Sequence, residues 1–93
     1  MTKQEEYAVK LVKELISDFT KLEFKASISD TSRSAEFFVW SENRKQQCYE
    51  LADTGKIDED KMEALFDTYA KFIRKNEGYK NGEVNKVYFT YES

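Results

Sequence analysis

The residues best suited to chemistry are concentrated in one segment, 50–67, which reads ELADTGKIDEDKMEALFD. Seven of its eighteen side chains are acidic and two are basic, a net charge of −5, whereas the other 75 residues carry 11 acids and 13 bases. The acids are Glu50, Asp53, Asp58, Glu59, Asp60, Glu63 and Asp67. A local excess of carboxylates can hold a cation, act as acid and base, or attract a basic partner.

Calcium binding is the first of these alternatives, and the spacing of the acids rejects it. An EF-hand loop needs acids at positions 1, 3 and 5, glycine at position 6 and glutamate at position 12. A loop that starts at Asp53 places Asp58 at position 6 and Ala64 at position 12, and a loop that starts at Asp58 places Glu63 at position 6. The three glycines are isolated, so no phosphate-binding loop is present either. The sequence predicts no metal and no cofactor.

Catalysis is the second alternative, and the residue types needed for it are scarce. The chain has no histidine, which removes the commonest general base and every Ser-His or Cys-His pair. Its single cysteine, Cys48, falls on a predicted strand with no activating neighbour and is expected to be a buried structural thiol. Pairs such as Asp60 and Glu63 lie one helical turn apart, which is ordinary on an exposed helix. The chain is therefore predicted not to be an enzyme.

Two interpretations of the acidic segment stay open. Asp58 is a good N-cap, and acids at Glu59 and Asp60 stabilise the positive start of a helix, so a solvated helix face explains these residues. The remaining acids are not explained in this way. Glu63 and Asp67 are four residues apart on the predicted helix and repel each other by about 0.2–0.5 kcal/mol. A row of acids that costs a little stability invites the second interpretation, a basic partner.

Length and composition limit the protein class. The chain has 93 residues, of which 40% are apolar and 15% aromatic, enough for one folded domain over residues 1–93. A net charge of −3 argues against binding to nucleic acid, and no apolar run approaches the roughly 18–20 residues of a membrane span. The N-terminal stretch lacks a signal-peptide core, and one cysteine excludes an internal disulfide, so the cytoplasm is the expected location.

Hydrophobic periodicity predicts six elements in the order α-β-β-β-α-β. Thr2 and Glu5 form a candidate capping box before the first helix. The predicted elements are a helix over 3–19, strands over 22–29, 35–40 and 44–51, a helix over 58–76 and a strand over 83–91. Because each helix has one apolar stripe, both are expected on the same side of the sheet. The fold class is thus α+β, a two-layer sandwich with an antiparallel sheet of about four strands and two helices on one face.

The two faces of the predicted sheet differ in composition. The core face is expected to contain Leu22, Phe24, Ala26, Ile28, Phe37, Val39, Tyr49, Leu51, Phe89 and Tyr91. The open face is expected to contain Phe38, Trp40 and Tyr88 among Glu23, Lys25, Glu36, Gln46 and Lys86. These aromatic side chains are either covered by the long charged side chains beside them or form a contact surface.

Three sequence features together match a known pattern. They are the aromatic strand pair KLEFKASISDTSRSAEFFVWSENRKQQCYEL, the acid-led helix with the face LFDTYAKFI, and the closing strand VYFTY after the turn Asn81-Gly82. This pattern covers nearly the whole chain and resembles the small cytoplasmic immunity proteins of bacterial polymorphic toxin systems. The closest similarity is to the YezG-like type and to the CdiI proteins of contact-dependent growth inhibition.

The resemblance implies binding without catalysis. Such an antitoxin holds a cognate toxin domain, often a nuclease, and blocks its active site or its substrate channel. Nucleases have basic surfaces because their substrates are polyanions. The expected partner contacts are Glu50, Asp53, Glu59, Asp60, Glu63 and Asp67, with Phe38 and Trp40 as a second patch. The alternative is a small adaptor or regulatory binding module that self-associates as a homodimer through the open sheet face.

Overall fold

The computed structural model describes residues 1–93 and contains three helices and four strands. The elements are α1 (Lys3–Leu15), β1 (Lys21–Ile28), β2 (Arg33–Ser41), β3 (Arg44–Gln47), α2 (Cys48–Asp53), α3 (Glu59–Arg74) and β4 (Asn85–Glu92). The strands form one antiparallel sheet in the order β3-β2-β1-β4. The predicted α+β class and the order of the six elements are confirmed, and α2 is an additional short helix.

The two long helices begin where the sequence places them. The Thr2 hydroxyl accepts a hydrogen bond from the Glu5 backbone N–H, and the Glu5 carboxylate accepts one from the Thr2 N–H, so the predicted capping box is confirmed. The Asp58 carboxylate accepts the Lys61 N–H at 3.0 Å at the start of α3. The α1 helix ends at Leu15 rather than at 19 because Ile16 is extended, with φ −147°.

One layer of side chains fills the space between the sheet and the helices. Tyr69 of α3 meets Phe24 of β1 edge-on, with ring centroids 5.1 Å apart, and its hydroxyl donates to the Gln4 carbonyl at 3.0 Å. Phe37 of β2 packs edge-on against Phe66 of α3 at 6.1 Å. Burial of these rings and of the aliphatic stripes on α1 and α3 is what holds the two layers together.

The predicted third strand is only half correct. The chain leaves the sheet after Gln47, and residues 48–53 form α2 instead of continuing the strand. Cys48 and Leu51 are both fully buried, which a helix allows at a spacing of three residues and a strand does not. Tyr49, which was expected in the core, is instead exposed, and its hydroxyl donates to the Ala35 carbonyl.

The register of β3 corrects one further expectation. Gln47 pairs with Phe38 and Lys45 with Trp40, so Lys45 and Gln47 lie on the open face of the sheet. Gln46 pairs with Val39 and therefore lies on the helix-covered face, not on the open face as predicted. The tight turn at Glu42 and Asn43, with φ of 53° and 64° as in a type I′ hairpin, sets this register. A shift of one residue moves every side chain of a strand to the other face.

Candidate partner-binding surfaces

The acidic segment folds into a rigid corner made of α2, a five-residue connection and the first turns of α3. The Thr54 hydroxyl donates to the Glu50 carbonyl at 3.0 Å, and the Lys56 N–H donates to the Leu51 carbonyl at 2.9 Å. Leu51, before this connection, and Ile57, within it, are both buried. The backbone that carries the acids is therefore fixed by hydrogen bonds and by two apolar anchors.

Two of the seven acids bind a cation of the same chain. Glu63 Oε2 lies 3.1 Å from one terminal guanidinium nitrogen of Arg33, and Asp67 Oδ1 lies 2.9 Å from Arg33 Nε. The guanidinium also lies 5.5 Å from the centre of the Phe66 ring. Burial is the largest single influence on the pKa of Arg33 and lowers it. The combined hydrogen bonds and charges of Asp67 and Glu63 outweigh burial, so the pKa is raised. The repulsion between Glu63 and Asp67 is thus relieved inside the protein, without a partner.

The contacts of Arg33 with Glu63, Asp67 and the Phe66 ring are called the Arg33 clamp below. Removal of this clamp is expected to destabilise the fold. The variant Arg33→Met keeps the apolar stem but loses two partly exposed ion pairs and the cation–aromatic contact, which together contribute about 1–2 kcal/mol. The free energy of unfolding, measured by urea denaturation, should fall by that amount. Arg44→Met is the matched control, because Arg44 is exposed on β3 and forms no ion pair. Equal losses in the two variants would show that the clamp contributes nothing.

Four of the predicted contact residues remain as free surface charge. Glu50 and Asp53 lie on α2, and Glu59 and Asp60 lie in the first turn of α3. All four are exposed, and none forms a salt bridge within the chain. We call these four residues the acidic corner. Asp58, between them, is used as the N-cap of α3.

The aromatic side chains of the open sheet face are covered by lysines. Trp40 lies in register between Lys45 on β3 and Lys21 on β1, and the two ammonium groups are 5.0 and 4.9 Å from its ring centre. Lys45 also lies 4.4 Å from the centre of the Phe38 ring. Phe38 and Trp40 are consequently half-buried, and of the predicted aromatic patch only Tyr88 is broadly exposed, at 63%.

A second polar cluster, at the turn between β1 and β2, was predicted only as a turn. Arg74 donates from Nε to the Ser29 carbonyl at 2.9 Å and from a terminal nitrogen to the Ser32 carbonyl at 3.1 Å. The Asp30 carboxylate accepts hydrogen bonds from the Tyr79 hydroxyl and the Gly82 N–H, and these bonds lower the pKa of Asp30, the Tyr79 bond most strongly. The cluster ties the end of α3 and the loop before β4 to the sheet, which is a structural role.

Cys48 and Tyr69 are the only ionisable side chains among the buried residues. No carboxylate, lysine or arginine is buried, and no group of three or more Cys, Asp or Glu side chains could hold a metal ion. Burial raises the pKa of the Cys48 thiol to about 11, which keeps the thiol protonated and unreactive near neutral pH. Packing alone explains Cys48 and the other residues of the core.

The predicted site residues therefore separate into three groups. Glu50, Asp53, Glu59 and Asp60 are exposed and form no ion pair, Glu63 and Asp67 are held by Arg33, and the two aromatic residues of the second patch lie under lysines. None of the three helices is both long enough and apolar enough to cross a membrane. Comparisons of the chain with known protein families, with curated proteins and with solved structures found no match.

Proposed function

We propose that this chain is a cytoplasmic immunity protein that binds a cognate toxin domain and neutralises it by covering a basic surface, as on a nuclease. The observation that carries the proposal is the acidic corner: four exposed carboxylates without internal partners, on a backbone that is held rigid. The sequence resemblance supplies the class of partner. The corner supplies a surface with the charge that such a partner needs.

Rigid placement matters for the strength of binding. A charged surface on a flexible loop loses conformational entropy when it binds, whereas charges on two anchored helices are already ordered. Like charges that are close together and unpaired also raise the local potential, which speeds the approach of a basic protein. The toxin's active-site or substrate surface, which normally attracts phosphates, would then bind the carboxylates of the corner instead.

The open sheet face is the weaker candidate for contact with a partner. Phe38 and Trp40 would have to lose their lysine contacts before another protein could pack on them. Each such contact contributes about 0.5–1 kcal/mol at an exposed site, so this rearrangement opposes binding. The same contacts stand against the alternative adaptor that self-associates through this face. We therefore propose that the toxin binds at the acidic corner.

Co-expression with the toxin domain encoded next to this chain tests the proposal. We expect the two proteins to purify together as a complex of fixed stoichiometry, and we expect the chain to restore growth of cells that make the toxin. In vitro, stoichiometric addition of the chain should abolish cleavage of nucleic acid by the toxin. A toxin that neither co-purifies with the chain nor loses activity in its presence would falsify the proposal.

A further inference from the structure

The two edges of the sheet are protected to different degrees. The β3 edge is four residues long, begins with Arg44 and Lys45, and passes directly into α2. The β4 edge is eight residues long and pairs with β1 in an unbroken register from Asn85 to Glu92. Proteins usually protect an edge by a short strand, proline, a bulge or several charges. Of these devices, β4 has only isolated charges, at Lys86 and Glu92.

The free edge of β4 presents a complete row of backbone donors and acceptors. The Ser93 N–H donates to the Thr20 carbonyl at 3.0 Å, and in an antiparallel pair alternate residues direct both backbone groups to the same neighbour. The residues of β4 whose backbone N–H and C=O groups bond to β1 are therefore Asn85, Val87, Phe89 and Tyr91. The residues whose N–H and C=O groups point away from the sheet are Lys86, Tyr88, Thr90 and Glu92.

We infer that this edge pairs with the same edge of a second copy of the chain, in an antiparallel arrangement with its two-fold axis at Phe89. In this register Lys86 lies opposite Glu92 of the partner subunit, and Tyr88 lies opposite Thr90 of the partner subunit. Both pairs occur twice because the interface is symmetric. Opposite charges and an aromatic beside a β-branched residue are the cross-strand pairs that stabilise a sheet.

The charges of β4 favour this register and favour a second copy of the chain as the partner. A shift of the register by two residues places Lys86 opposite Thr90 and Glu92 opposite Val84, and both charges then lack a partner. Neither Lys86 nor Glu92 forms an ion pair within its own chain. Tyr88, exposed at 63%, lies on this edge, and Val84, exposed at 60%, directly precedes it; they are two of the four large exposed apolar side chains of the protein. The strand is thus complementary to itself.

The helix layer can accommodate the second copy. The α1 helix lies above the β4 side of the sheet, where Lys13 Nζ is 3.0 Å from the Tyr91 hydroxyl. Neighbouring strands are about 4.8 Å apart and packed helices are about 10 Å apart, so one helix covers the width of two strands. Pairing at β4 therefore places the two α1 helices side by side and antiparallel. Their facing flanks carry both signs of charge, at Glu6, Lys10, Lys13 and Glu14, which allows opposite charges to meet.

Sedimentation equilibrium over micromolar to millimolar concentrations tests the inference. The unaltered chain should show a reversible dimer. Thr90→Pro should raise its dissociation constant about tenfold or more, because proline removes an N–H that points to the free edge. The thermal unfolding of a dilute Thr90→Pro sample should match that of the equally dilute unaltered chain, since that N–H has no partner inside one copy.

Charge exchange tests the register. Lys86→Glu and Glu92→Lys each place like charges opposite each other twice and should weaken the dimer about tenfold. The double variant should restore the original affinity.

Three results would overturn the inference. One is a chain that stays monomeric at all these concentrations. Another is a dimer that is insensitive to all of these variants, since this result places the interface elsewhere. The last is hydrogen exchange that slows at the amides of Lys86, Tyr88 and Thr90 only when a different protein is added, because the edge then belongs to a foreign strand.

Discussion

Phe37→Ala is expected to lower the free energy of unfolding by about 3–5 kcal/mol, whereas Phe38→Ala, one position along the same strand, should cost about 1 kcal/mol. Phe37 has no exposed surface and packs on Phe66 of α3. Its truncation leaves a cavity between two rigid layers, in addition to the loss of apolar burial. Phe38 lies on the open face under Lys45, where water can fill the space of the lost ring.

Urea denaturation of the two variants measures this difference directly. Both should keep the denaturant dependence of the unaltered chain, which shows that the unfolding transition still exposes a similar surface. The pair is closely matched, because the two residues have the same type and are adjacent on the same strand, and they differ in the sheet face that they occupy. Similar losses in the two variants would mean that both faces of the sheet are buried, contrary to the two-layer arrangement.

Features set by local sequence could be predicted. The capping box of Thr2 and Glu5 depends on residues three positions apart, and the two faces of β1 depend on simple alternation. These signals need no knowledge of the rest of the fold. The length of α1 was overestimated, because Phe19 continues the apolar pattern although the helix has already ended.

The end of β3 could not be predicted from its own residues. In the run from Arg44 to Leu51 an alternating pattern and a helical pattern both fit, and such short segments are decided by tertiary packing. The buried sites available to Cys48 and Leu51 favour the helix, and this choice moves Glu50 and Asp53 from a strand to the acidic corner. An error of a few residues in an element therefore changed the geometry of the candidate site.

The clamp on Arg33 was also beyond a local interpretation, because its ion pairs join residues 30 and 34 positions apart. The sequence did contain an indirect signal. Glu63 and Asp67 lie one helical turn apart, and two acids so placed are stable together when a cation lies between them. From the sequence, a solvated helix face and a basic partner both remained open for these two acids, and the fold shows that the cation beside them is Arg33 of the same chain. This finding reduces the candidate contact acids from six to four.

Charge reversal of the acidic corner is expected to slow association with the toxin domain by about 10–100-fold at low ionic strength. The variant replaces Glu50, Asp53, Glu59 and Asp60 with lysine. Long-range attraction acts mainly on the rate of encounter, so the dissociation rate should change less. Salt screens such charges, and the difference from the unaltered chain should therefore shrink as the ionic strength rises from about 0.01 M to 0.15 M. Stopped-flow mixing measures both rates.

A second variant separates the position of the charge from its total amount. Asp18, Glu42, Glu77 and Glu83 are exposed and form no ion pair, and their replacement by lysine changes the net charge equally at other places on the surface. At an ionic strength of about 0.15 M the field of a charge falls off within about 8 Å, so at this salt concentration the control should slow association less than the corner variant does. Glu63 and Asp67 are left intact in both variants, so the Arg33 clamp continues to stabilise the fold. Equal slowing in the two variants would show that net charge alone matters, and no slowing in either would place the toxin on another surface.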